Sequence, residues 1–114
     1  MVSKNNSDIA KSIGKAIAKY RKAANLSQSQ LAEIIGVSND AISRMERGTI
    51  VLNVIRLFEF AEIFGCNVAD LLVENSERLE DQEYRLAKKL AQLNKEDRDK
   101  LLDIIENILQ WKQQ

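Results

Sequence analysis

Leu26-Ser27-Gln28-Ser29-Gln30-Leu31-Ala32-Glu33-Ile34-Ile35-Gly36-Val37-Ser38-Asn39-Asp40-Ala41-Ile42-Ser43-Arg44-Met45-Glu46-Arg47-Gly48 reads as two short helices across a tight turn. Ser27 with Gln30 three residues on is a capping box, and Leu26 with Leu31 is placed as a hydrophobic staple. Gly36 supplies a stop, so the first of the pair has only about eight residues. After a turn of about four residues, Ser38 is a good N-cap and Asp40 sits at the positive helix end. The second helix runs to Gly48. Ile42 and Met45 are its only apolar face, which leaves Asn39, Asp40, Ser43, Arg44 and Arg47 to point outward.

Outward from this pair the helical pattern continues. Ile9, Ile13, Ile17 and Tyr20 are spaced 4, 4 and 3, an amphipathic helix that Ser7 or Asp8 can cap and that Ala24-Asn25 can end. On the other side, Thr49-Ile50-Val51-Leu52 is a loop. Asn53 then caps a fourth helix carrying Ile55, Leu57, Phe58, Ala61, Ile63 and Phe64 up to Gly65. A very short fifth helix starts at Asn67, with Asp70 at its third position, and ends in Leu71-Leu72-Val73. Residues 74–81 turn polar and acidic, the most plausible boundary. Beyond them Leu79, Leu86, Leu90 and Leu93 define one more helix, and Asn94 with Asp97 caps a last one. The expected architecture is all-α: five helices in a domain spanning 1–73, then a two-helix hairpin spanning 74–114.

Composition agrees and narrows the function. The chain has 114 residues, 45% of them apolar and 30% charged, which suits a single soluble core and not a disordered tail. Zero Pro and four Gly leave little turn material for a β-barrel or sandwich. With no His and one Cys, a Ser-His-Asp triad, a Cys-His dyad and a His/Cys zinc site are all excluded. No glycine-rich phosphate loop compensates, so the chain is not expected to be an enzyme, and no cofactor or metal is expected. The start lacks a signal-peptide core, and no run approaches a membrane span, which points to the cytoplasm. Net charge is zero, but unevenly so. Through Leu26, Lys4, Lys11, Lys15, Lys19, Arg21 and Lys22 face only Asp8, a balance of +5; residues 27–73 carry −3 and the remainder −2.

Two short helices joined by a tight turn, the second exposing small polar and Arg side chains, suit the DNA major groove. Leu26 to Ala32, Gly36-Val37-Ser38, Ile42-Ser43, Glu46 and Gly48 also resemble the helix-turn-helix signature of the Cro and C1 repressor-like (Xre) family. The resemblance runs from about Ile9 to Val73, and includes Arg21 with Glu46 and Ala61. It implies a lambda-repressor-like domain on double-stranded DNA. In that family the start of the second short helix enters the major groove, making Ser38, Asn39, Asp40, Ser43 and Arg44 candidate base readers. An Arg44 guanidinium can bind guanine O6 and N7, and Asn39 can pair with adenine. Gln28 and Arg47 are candidate phosphate contacts. The bland alternatives are an N-cap for Ser38, helix-end stabilisation for Asp40, and solvated charges for Arg44 and Arg47. Arg21 with Glu46 is expected to be a structural ion pair.

Two positions depart from the family pattern. The loop 49–52 lacks the usual proline and cationic residues, and its apolar triplet is free to pack on the C-terminal helices. Cys66 replaces an aliphatic residue and is expected as a small buried hydrophobe. In the last helix Leu101, Leu102, Ile104, Ile105, Ile108, Leu109 and Trp111 form a stripe too wide to leave in water, since each buried aliphatic contributes about 1.5–3 kcal/mol. These residues are the candidates for homodimerisation, which would set two half-sites about 34 Å apart on a near-palindromic operator. The alternatives are a fold-back onto the chain's own core, or a different protein partner as in an antitoxin. The expected function is a transcriptional regulator, a homodimeric repressor.

Overall fold

In a computed structural model of the chain, residues 6–113 are described, and among them every regular element is a helix. The order is α1 (Asn6–Ala23), α2 (Gln28–Ile35), α3 (Asn39–Arg47), α4 (Val54–Phe64), α5 (Val68–Val73), α6 (Leu79–Leu90) and α7 (Lys95–Gln113). Local chemistry sets most starts. Ser27 Oγ accepts from the Gln30 N–H while the Gln30 side chain accepts from the Ser27 N–H, the full capping box. Ser38 Oγ accepts from the Ala41 N–H and Asn53 Oδ1 from the Arg56 N–H. Asn25, at φ 59°, ends α1 in the left-handed conformation. The start of α1 differs from expectation: Asn6 is already helical, so Ser7 and Asp8 lie within the first turn and not ahead of it.

Ile17, Leu31, Ile42, Phe60 and Leu71, one from each of the first five helices, are fully buried and form the centre of the core. Phe60 and Phe64 stack with ring centroids 5.9 Å apart, and Tyr20 stacks on Phe64 at 6.0 Å, tying α1 to α4. The apolar triplet 50–52 does not reach the C-terminal helices. Ile50 and Leu52 pack against the core, and they line a shallow recess with Ile9, Ala10 and Ile13 of α1. The reason is topological: the loop after α3 passes the start of α1, which is apolar there and uncovered. Cys66 is half-buried against the core, and burial pushes its thiol pKa up.

Beyond the core, α6 is held to α5 by polar contacts. Tyr84 donates to Asp70 Oδ1 at 3.0 Å, and Lys88 Nζ donates to both Asp70 oxygens at 2.8 Å. Arg85 Nη1 donates to the carbonyls of Val73, Glu74 and Ser76, which closes the C-terminal end of α5. By contrast, α7 packs closely against no other helix, and neither α6 nor α7 contains a buried residue. Only α6 docks on the five-helix core; the fold-back does not extend to α7. The molecule is accordingly long, 53 × 36 × 20 Å, with a radius of gyration of 17.3 Å against about 13 Å for a compact chain of this length. No described helix is long and apolar enough to cross a membrane.

Candidate nucleic-acid interface

Helix α3 owes its position to two close approaches. A Cβ on Gly14 of α1 would lie 2.4 Å from the Glu46 carbonyl oxygen and 2.6 Å from that of Met45, so α1 crosses α3 at backbone contact. Gly48, which ends α3 at φ 72°, meets the Lys11 backbone in the same way, at 2.5 Å from a built Cβ. Periodicity alone gives Gly14 no role. An isolated glycine inside a strongly helical run was the available signal.

A buried polar cluster joins α1, α2 and α3. Arg21 Nε donates to Glu46 Oε2 at 2.6 Å and Arg21 Nη2 to Oε1 at 3.2 Å, a bidentate pair with side chains only 11% and 7% exposed. Arg21 Nη1 donates to the Leu26 carbonyl at 2.8 Å, fastening the connection between α1 and α2. Gln28 Nε2 completes the cluster by donating to Glu46 Oε1 at 2.9 Å. The first residue of α2 is thus tied to α3 through the same carboxylate that holds α1. Gln28 was expected at a phosphate; its side chain is turned inward by this bond, with a second amide hydrogen left over.

On the outer face, Asn39, Asp40, Arg44 and Arg47 are exposed, as is the capping Ser38, while Ser43 is half-buried. Arg44 Nε pairs with Asp40 Oδ2 at 3.1 Å one turn earlier. With side chains 50% and 72% exposed, this pair contributes a few tenths of a kcal/mol and yields readily to a competing ligand. The pair engages Arg44 through Nε, whereas a guanidinium fork also carries two Nη groups. Asn39 Oδ1 accepts from Ser29 Oγ at 3.3 Å, linking the starts of α2 and α3. The face therefore presents amide, hydroxyl and guanidinium groups on a rigid helix, with no buried side-chain polar atom lacking a partner among the described residues.

The basic first segment is less available than its charge suggests. Arg21 is buried, Lys19 pairs with Glu74, and Lys4 lies outside the described residues, which leaves Lys11, Lys15 and Lys22 exposed on α1. In α7, Leu102, Ile104, Ile108, Leu109 and Trp111 are exposed, and Leu101 and Ile105 are half-buried.

The helix-turn-helix family model matches residues 17–71, from the middle of α1 to α5. Two structures of the BldD DNA-binding domain, one from S. venezulae, are 28% and 29% identical to this chain. They cover 60% and 58% of it and 99% of their own length, with TM-scores of 0.55 and 0.53. A transcriptional regulator of the HTH_3 family from Vibrio cholerae shares the fold at 20% identity and a TM-score of 0.56, over 62% of this chain and 40% of that one. Antitoxin PezA of Streptococcus pneumoniae is 30% identical over 78 residues, 68% of this chain. The chain spans about half, 49%, of that curated relative's length.

Proposed function

Since residues 17–71 belong to the helix-turn-helix family of Cro/C1 type, we propose that the protein is a DNA-binding transcriptional regulator, a homodimeric repressor acting on a near-palindromic operator. The single observation that carries this reading is α3, held at backbone contact with α1 and braced by the Arg21–Glu46–Gln28 cluster, with Asn39, Asp40 and Arg44 exposed on its outer face. A helix of these dimensions fits the major groove, and preorganised side chains lose little entropy on binding. In this reading Ser38, Asn39, Asp40, Ser43 and Arg44 meet base edges. Arg47 and the N–H end of α2 at Gln28 meet phosphate, the latter helped by the positive helix end.

Residues 1–73 would then be the DNA-binding part and 74–114 the part that pairs. The stripe of α7 supports pairing, because apolar side chains left this open in one chain find cover in another. A second reading has the same stripe covering a different protein, and the likeness to an antitoxin favours keeping it. Light scattering on the full chain separates them. A mass twice 13.0 kDa supports the homodimer. A concentration-independent single-chain mass removes it and leaves a foreign partner as the occupant. DNA binding is tested by gel shift with Arg44→Ala on a selected site and on random duplex; equal loss on both contradicts base reading.

A further inference from the structure

Two details of the C-terminal helices point beyond simple pairing through α7. The first is that α6 is mounted the wrong way round for a surface helix. Tyr84, Arg85 and Lys88, three of its polar side chains, face α5 and bond to it. Leu79 and Leu86 lie about half a turn away on the helical wheel and stand 64% and 44% exposed, with Leu90 half-buried on the same side. An amphipathic helix ordinarily buries its apolar face against its own body. Here that face looks outward.

The second detail is that the stripe on α7 resolves into two seams. Leu101, Ile104, Ile108 and Trp111 are spaced 3, 4 and 3, a heptad seam. Leu102, Ile105 and Leu109, spaced 3 and 4, form another, turned by about 110° around the helix. One partner helix covers one seam, so α7 needs two neighbours. In the single chain it has none closely packed.

Resting on the dimer reading above, we propose that α6 and α7 of two copies assemble into a four-helix bundle, in which α7 of each copy packs on the other copy's α7 along one seam and on its α6 leucines along the second. The area available fits. The chain exposes 8298 Å², about 2,000 Å² more than a compact monomer of 13.0 kDa. A stable interface takes about 800 Å² from each partner. The polar mounting of α6 then has a use: it fixes the helix to α5 without spending its leucines, which stay available to the second copy. The connection 91–94 between α6 and α7 is short, and with α7 extended the exchange between copies needs no refolding of the core.

The test uses the full chain at a concentration where light scattering has given its mass. In a sample mixed from isotope-labelled and unlabelled copies, isotope-filtered nuclear Overhauser spectra should connect methyls of Leu79 and Leu86 in one copy with those of Leu102, Ile105 and Leu109 in the other. Leu79→Glu with Leu86→Glu should keep the helical circular dichroism, because neither side chain is in the core, and weaken self-association by about a hundredfold or more. A dimer whose intermolecular contacts run between the two α7 helices alone, or that survives the double substitution, overturns the bundle and leaves the dimer reading standing. A single-chain mass for the unaltered protein overturns both.

Discussion

Glu46 shows how much can depend on one carboxylate. It accepts from Arg21 and Gln28 with almost no exposure to water, so Glu46→Ala leaves the Arg21 guanidinium buried and uncompensated. The expected cost is about 3–5 kcal/mol in urea unfolding. A loss below 1 kcal/mol would mean that the pair is open to solvent. Gly14 is as sensitive for another reason. Alanine is favoured over glycine inside a helix by about 0.5–1 kcal/mol, but here its Cβ would meet rigid backbone at 2.4 Å. Gly14→Ala should therefore destabilise by about 1–3 kcal/mol and displace α3, lowering DNA affinity even in conditions where the protein stays folded. Arg44, by contrast, is exposed and dispensable to the fold. Arg44→Ala should leave the melting temperature nearly unchanged and cost about 1–3 kcal/mol on the selected operator, with relaxed preference at one base pair. Gln28→Ala keeps the backbone N–H at the start of α2 but removes a donor to Glu46, so it should weaken all duplexes alike by loosening the seat of α3.

At the scale of elements, the helices differ in what holds them, and pH separates the contributions. Burial alone would raise the Asp70 pKa. Hydrogen bonds from Lys88, the Asn67 N–H and Tyr84, with the Lys88 charge, outweigh it and hold the carboxyl below its usual value. A depressed carboxylate contributes stability that is present above its unfolded pKa, about 3.9, and is lost as pH falls through the lower folded value. Its partner Lys88 is raised, chiefly by the same hydrogen bond, so its contribution is present below the unfolded value of about 10.4 and lost as pH rises through the folded one. Amide exchange in α6 should thus stay protected from about pH 5 to pH 10 and rise in acid before the core opens; simultaneous loss of α6 and core would contradict a separate polar mounting. Helix starts were legible in the sequence because caps act over three residues, as at Ser27, Ser38 and Asn53. The role of Gly14, the packing of Ile50 and Leu52 on α1, and the outward leucines of α6 were not, because each depends on which distant element passes alongside. For the candidate site, the residue types on α3 were legible, whereas the Asp40–Arg44 pair and the inward turn of Gln28 needed the structure.

For the molecule as a whole, zero net charge is a cancellation whose parts are spatially committed. Lys19 is paired with Glu74 at the surface, Arg21 is buried against Glu46, and the loop 49–52 offers no cation. Few lysines and arginines remain for phosphates, so the log–log slope of affinity against salt should be about −3 to −4 per copy at 0.9 per phosphate, about −7 for a bound pair. A slope much steeper than about −10 for the pair would place more cations on the DNA than the fold presents. If two copies pair as proposed, the contacts of α3, doubled across the pair, would be the source of discrimination. The central claim, that two copies read one operator with their α3 helices, is tested most directly by selecting bound duplexes from random DNA with the full chain. The expected result is enrichment of a near-palindrome with half-site centres about one helical turn, 10–10.5 base pairs, apart. Absence of enrichment, or a single asymmetric half-site, would contradict it.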